Sequence, residues 1–340
     1  MLMAVDGNSL LHRAHHGRAG SDLRDATGRP IWALKGLVHS IAVAAARLLP
    51  DAVVVGFDCR QHSVRRADHP AYKAGRPEKS PELLSQLADA PGLLSAAGFC
   101  VVVPSGHEAD DVLASSATLA RAHRWRCTLV TSDRDSFALL DETTSLLRVV
   151  NGGIHSSPVM TPSTLVALCG VTPGQYRDYA ALRGDTSDNL PGVFGVGAMN
   201  AARLLAAFTS LEEVYAALGS SREAEVVGAV GPAAAARLAL PQTRADLARN
   251  RRLMAMRADL PLPAPEAMRL PLDPTVLQAV FGSRNIWFGP ALWALTGDPS
   301  PQGAPQVIPD GPPRPVPAGA VRGRARTSWA VPGQLALFPA

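Results

Sequence analysis

Nine carboxylates in the first 190 residues stand where an oxygen-ligated metal centre needs them. They are Asp6 after LMAV, Asp58 after VVVGF, Glu108, Asp110 and Asp111 in HEADD, Asp133 and Asp135 in TSDRD, and Asp185 and Asp188 in GDTSDN. So many acids in one cleft repel one another unless cations neutralise them. Oxygen donors without Cys or His favour hard cations such as Mg²⁺ or Mn²⁺. HEADD opens a helical run, so Glu108 and Asp111 share a face with Asp110 beside them. Capping against the helix dipole would require one acid, not three. Asp185 and Asp188 stand one helical turn apart and can present two carboxylates to one cation; the alternative is a polar turn between helices. TSDRD is a weak pattern alone and gains its meaning from the strand before it.

Two further segments bear on a polyanionic substrate. Between Cys59 and Leu83 the chain carries Arg60, Arg65, Arg66, Lys73, Arg76 and Lys79 with one aromatic, Tyr72. Placed directly after Asp58, this segment can hold phosphate oxygens next to metals and stabilise developing charge. Arg65 and Tyr72 are read as DNA-contacting, Tyr72 by stacking on a base; a solvated basic loop is the alternative. GVFGVG at 192–197 has glycines spaced for a tight hairpin entering a helix. The N–H groups at that entry suit a DNA phosphate, through Gly192, Gly195 and Gly197.

The elements that must position these residues follow from hydrophobic patterning. Asp6, Asp58 and Asp133 each follow an apolar, β-rich run. If those runs are parallel strands, the acids emerge at one end of a sheet, where open α/β folds place ligands. Strands are expected at 2–5, 52–57, 99–103, 127–131 and 145–150. Helices are expected at 32–49, 82–97 and 109–123. The alternation predicts an α/β fold, a mostly parallel central sheet flanked by helices, over 1–170. Helical segments take over from 171 to 296. Residues 297–340 hold ten of the 29 prolines, and the composition of 297–333 predicts disorder.

Composition sets the outer limits. The 340 residues are 47% hydrophobic, enough for a sizeable core, with net charge +4 and pI near 9.1. With nine acids gathered at one place, the remaining surface is more basic than that total, as a polyanionic partner requires. Cys59, Cys100, Cys127 and Cys169 form no C-x-x-C pair and fit reduced thiols better than a disulfide or zinc framework. No signal segment and no apolar run of roughly 18 residues is present, so a cytoplasmic, nucleoid-associated monomer without membrane contact is expected.

Taken together, these motifs resemble the 5′ nuclease family, the flap endonucleases and the 5′–3′ exonuclease domain of bacterial DNA polymerases. The resemblance runs through VDGNSLLHR at 5–13, SVRRADHPAYKAGR at 63–76, GHEADDVLA at 106–114, TSDRD, LRGDTSDNLPGVFGVG at 182–197 and MRADLPL at 256–262. It implies a PIN-like core with the nine acids around two Mg²⁺ ions. Asp6, Asp58, Glu108, Asp110 and Asp111 belong to the first ion, and Asp133, Asp135, Asp185 and Asp188 to the second. It implies Lys73 and Arg76 as a catalytic basic pair, Tyr72 as a base-stacking aromatic, segment 60–98 as an arch or gateway, and a helix–three-turn–helix holding duplex, with K⁺. Two departures stand out: GVGAMNAA lacks the usual Lys, and His15 and His16, taken as surface variation, replace aromatics.

The expected function is a free-standing, metal-dependent 5′–3′ exonuclease and 5′-flap endonuclease that removes flaps and RNA primers. Its substrates are DNA with 5′ flaps, nicks or free 5′ ends and RNA–DNA hybrids. The alternatives are a degenerate relative that binds branched DNA without cutting, and a small PIN-like ribonuclease, which lacks the glycine hairpin. The terminal GQLALFPA adds a partner. Gln334, Leu335, Leu337 and Phe338 resemble the pentapeptide that docks bacterial replication proteins on the sliding clamp. A flexible tether of 37 residues (297–333) spans about 35 Å root-mean-square.

Overall fold

The computed structural model describes residues 1–17 and 21–299. Its centre is a six-stranded sheet: β1 (Leu2–Asp6), β2 (Ala52–Gly56), β3 (Cys100–Val102), β4 (Cys127–Thr131), β5 (Thr144–Arg148) and β6 (Val159–Met160), in the order β3-β2-β1-β4-β5-β6. All pairings are parallel except that of β5 with the edge strand β6. Every residue of β1, β2 and β4 is buried, as the unbroken apolar runs require of strands covered on both faces.

Side chains alternate across β1. Leu2 and Ala4 face one core cluster, and Met3 and Val5 the other. The Met3 side is closed by α1 (Gly7–Gly17), α2 (Trp32–Leu48) and α4 (Pro81–Ala96). α2 offers Leu34, Leu37, Val38, Ile41 and Ala45 at helical spacing before ending at Leu49 in the left-handed region. The short α3 (Val64–Asp68) precedes α4, whose N-cap Ser80 accepts from the Leu83 amide ahead of Pro81. The Leu2 side is covered by α5 (Ala109–Ala122), α6 (Pro162–Cys169), α7 (Pro173–Arg183) and helical elements that follow them.

Between α7 and the next helices lies the antiparallel pair β7 (Gly184–Asp185) and β8 (Leu190–Pro191). Its strands approach so closely that a Cβ on Gly192 would sit 2.3 Å from the Arg183 carbonyl carbon. Beyond come α8 (Ala198–Ala207), α9 (Leu211–Ala217), α10 (Glu223–Val230), α11 (Pro232–Ala239) and α12 (Pro241–Leu253). The chain then returns to the sheet, where α13 (Pro274–Ser283) packs on α4 and α14 (Trp293–Thr296) on α2.

The expected gateway segment 60–98 divides in two. Leu83, Leu87, Ala90, Leu93 and Leu94 of α4 are core residues, so 60–80, apart from Tyr72, is the part that lies outside the packed layers. No helix among the described residues is long and apolar enough to cross a membrane. The clamp-motif residues and nearly all of the tail lie outside the described residues.

Candidate metal and phosphate site

Parallel strands place the acids at one end of the sheet. Asp6 ends β1, while Asp58 and Asp133 stand two residues beyond β2 and β4. Glu108 is the N-cap of α5, which brings Asp110 and Asp111 in its first turn. Asp185 sits in β7, and Asp188 in the turn that follows. Short polar contacts fix several of them. Asp6 accepts from the Ser9 amide and Thr131 Oγ1, both at 2.8 Å. Asp58 accepts from Asn8 Nδ2 at 2.7 Å and the Ala109 amide at 2.9 Å. Asp133 Oδ1 accepts from the Asp135 amide at 2.9 Å.

Electrostatics then joins them into one group. Burial pushes Asp6 up to about 7, aided by the charges of Asp58 and Asp133 and opposed by its hydrogen bonds. Burial first, then Asp133 and Asp6, raise Asp110 well above the ordinary carboxylate range. Asp135 rises in the same way, from burial and from Asp133, Asp185 and Asp188. One oxygen of Asp110, Oδ1, is buried without a hydrogen-bond partner. A buried, partnerless carboxylate oxygen among like charges calls for a cation. The donors fit a hard divalent ion by chemistry, not by preassembled geometry. Among the described residues, no three His, Cys, Asp or Glu side chains converge closely enough to grasp an ion as they stand.

Protein cations occupy part of that space. Lys73 Nζ lies 3.0 Å from Glu108 Oε1, and Arg76 Nη2 lies 2.6 Å from Asp188 Oδ1. Burial works against the Lys73 charge, but Asp188, Tyr72 and Glu108 outweigh it and hold the ammonium well above its usual value. The two segments are stitched together by main chain. The Lys73 amide donates to Asp188 O at 3.0 Å, and Asn189 Nδ2 to Ala71 O at 2.9 Å. Lys73 itself takes a left-handed backbone, φ 58°.

Three residues read from the sequence as direct contacts have other surroundings. Asp111 is fully buried and saturated. It accepts from both Nη atoms of Arg65, at 2.7 and 2.8 Å, from the Arg257 amide at 2.8 Å and from the Glu108 amide at 3.0 Å. Although burial opposes ionisation, those donors hold its carboxyl below the ordinary range. Arg65 likewise uses every N–H within the protein. Besides Asp111 it donates to Glu108 Oε2 at 3.1 Å, Leu253 O at 2.9 Å and Ala255 O at 2.9 Å. Tyr72 is 3% exposed, its ring in the core and its hydroxyl 3.2 Å from Glu108 Oε2. As placed, all three are held by partners within the protein. His15 is buried against Trp32, whereas His16 is exposed.

In the hairpin, Gly195 has φ +90°, Gly197 caps α8, and the Gly192 backbone contact leaves no room for a side chain. Asn250 of α12, wholly buried, steadies the pair by donating to Pro191 O at 2.8 Å. The residue that sequence reasoning passed over is Phe194. It stands 79% exposed at the tip, with the Arg237 guanidinium 5.0 Å from its ring centre. The available signal was a large aromatic between two turn glycines.

Two family models match this chain: the N-terminal resolvase-like domain of 5′–3′ exonucleases over residues 1–169, and their C-terminal SAM fold over 171–274. DNA polymerase I of Mycobacterium bovis is 34% identical over 270 residues, which are 79% of this chain and 28% of the relative. The D15 protein of bacteriophage T5, co-crystallised with metal ions, superposes with a TM-score of 0.61 at 18% identity, covering 87% of this chain and 97% of that one. A second structure, of the D15 flap endonuclease with DNA and metal ions, gives 0.59 at 22% identity, covering 75% and 89%.

Proposed function

The chain belongs to the 5′–3′ exonuclease family, and from that premise we propose that it is a metal-dependent, structure-specific nuclease. It hydrolyses a phosphodiester at a free 5′ end or 5′ flap of DNA, or of an RNA–DNA hybrid. The observation that carries this reading is the buried acid group around the partnerless Asp110 oxygen, with Lys73 and Arg76 set against it. A nuclease of this kind needs anionic ligands and phosphate-binding cations within one cleft.

The cofactor is a pair of Mg²⁺ ions, replaceable by Mn²⁺. When bound, the pair supplies an activated water and stabilises the leaving 3′ oxygen. Asp6, Asp58, Glu108 and Asp110 would hold one ion; Asp133, Asp135, Asp185 and Asp188 would hold the other. Asp111 leaves the ligand set of the resemblance and, with Arg65, positions Glu108. Lys73 and Arg76 exchange their present carboxylate partners for oxygens of the scissile phosphate, which keeps two cations beside the charge that grows during cleavage. The Tyr72 hydroxyl orients Glu108 while its ring stays in the core.

Segment 60–80 forms the gateway for the single strand. The 192–197 hairpin grips the duplex and would bind K⁺, with Phe194 at its tip under the Arg237 guanidinium of α11. The Gln334–Phe338 motif docks on a sliding clamp, and the enzyme works in the cytoplasm as a monomer. A labelled 5′-flap duplex incubated with Mg²⁺ or with EDTA tests the function. Mg²⁺-dependent products ending at the junction, carrying 3′-hydroxyls, support it. Binding without cleavage would make the chain a non-cutting binder of branched DNA.

A further inference from the structure

A buried arginine without a counter-charge ends a strand of the sheet. Arg148 ends β5 in register with Thr131 of β4 and is 9% exposed. Its main chain is satisfied, the amide donating to Pro158 O at 3.0 Å. Its guanidinium is not: Nε is buried with no hydrogen-bond partner, and Cζ lies 6.0 Å from the centre of the Phe137 ring. Burying an unpaired guanidinium costs free energy that one aromatic face offsets only in part.

The neighbours increase that cost. Arg134 follows β4 in the TSDRD loop. Arg13 of α1 reaches across to Asn151, its Nη2 3.0 Å from Asn151 Oδ1. Burial and the like charges of Arg134 and Arg13 all pull the Arg148 pKa down, with only Tyr176 and Cys169 acting the other way. Among the described residues none of these three arginines enters an ion pair with a carboxylate, whereas Arg29, Arg65, Arg76, Arg251 and Arg284 all do. Three segments thus bring three guanidinium groups without carboxylate partners toward the ends of β4 and β5, at the end of the sheet where Asp133 and Asp135 stand.

We infer that Arg13, Arg134 and Arg148 form a binding site for a phosphate group at the ends of β4 and β5. Guanidinium groups match phosphate oxygens in charge and geometry, and the buried Arg148 supplies the fixed centre of the site. That the phosphate belongs to a nucleic acid rests on the proposed nuclease function; the affinity for phosphate itself does not. The source is either a terminal 5′-phosphate or a backbone phosphodiester of the bound strand.

The test compares the full chain with Arg148→Met, which keeps length and removes the charge. Inorganic phosphate should raise the wild-type melting midpoint above that in chloride of equal ionic strength, and the variant should lose that rise. In phosphate-free buffer the variant should melt no lower than wild type, because an unpaired buried charge has gone. Flap-duplex affinity in EDTA, measured against salt, should lose about one unit of slope in the variant. Duplexes with a 5′-phosphate and a 5′-hydroxyl separate the two sources. A terminal phosphate makes wild type, but not the variant, prefer the first; a backbone phosphate weakens the variant equally on both. The site is overturned if phosphate stabilises both proteins alike, or if the variant melts several degrees lower in phosphate-free buffer. Should Arg148→Met not fold, Arg134→Gln, at a partly exposed position, must show the same reduced phosphate effect and salt slope, or the site falls. A wild type that neither binds nor cuts flap DNA, yet shows the Arg148-dependent phosphate effect, would retain the site and discard the nuclease reading.

Discussion

Arg65→Ala separates an internal clamp from a substrate contact. The substitution removes five hydrogen bonds that tie α3, the start of α5 and the segment at the end of α12. It leaves the Asp111 carboxylate fully buried with only main-chain donors and a histidine nearby. The Arg65 side chain is 12% exposed, so solvent screens the pair little. Removing one partner of such a pair costs about 3–5 kcal/mol. For roughly 300 ordered residues the unfolding entropy is about 0.6 kcal/mol/K, so the melting midpoint should fall by about 5–8 °C. Calorimetry on the metal-free protein reads this directly. In a cycle with Asp111→Ala, the double variant should cost less than the two single ones together. An unchanged midpoint, with flap affinity falling and its salt slope reduced by about one, would restore Arg65 as a phosphate contact and refute the clamp.

Lys73→Ala should slow single-turnover cleavage far more than it weakens flap binding, since affinity is spread over many phosphate contacts; equal losses in both would make Lys73 a grip residue. The acid group predicts an unusual pH dependence. Asp6 is raised from 3.8 to about 7, so its stabilising contribution is full below about pH 4 and lost as pH rises to 7. The metal-free melting midpoint should therefore drop between about pH 5 and 7, and Mg²⁺ should stabilise more at pH 7.5 than at 5, because ion and protons compete. A metal-free midpoint that climbs across this range removes the buried-acid account. Deleting residues 334–340 should abolish sliding-clamp binding and leave cleavage of free flaps unchanged; clamp affinity that survives sets the terminal motif aside.

Much of the sheet was legible because its strands are buried on both faces. LMAVD, AVVVG and CTLVT are continuous apolar runs, and each ends at or just before an acid, so strands and site emerged from one pattern. α1 was not legible, since it follows β1 without a loop and its polar GNSLLHRAHHG offers only Leu10 and Leu11 as large apolar residues. Nor was the division of 60–98: α4 carries an internal Pro91, and its core role rests on contacts with elements distant in the chain. The acids could be gathered by type and position, but not sorted. Asp110 and Asp111 are adjacent, yet one keeps a partnerless oxygen and the other is saturated by Arg65, Arg257 and Glu108. That difference arises from an irregular segment after α12, 146 residues away in sequence at Arg257, and leaves no local trace.

The central claim is that carboxylates from both groups hold catalytic cations, and Asp133→Ala and Asp185→Ala test it most directly. Flap-duplex binding in EDTA and single-turnover cleavage at saturating Mg²⁺ should be measured on the same preparations. The account predicts binding retained in both variants and Mg²⁺-dependent cleavage abolished. Near-wild-type cleavage by either variant would contradict the assignment of that residue, and by both would contradict a second metal in this site.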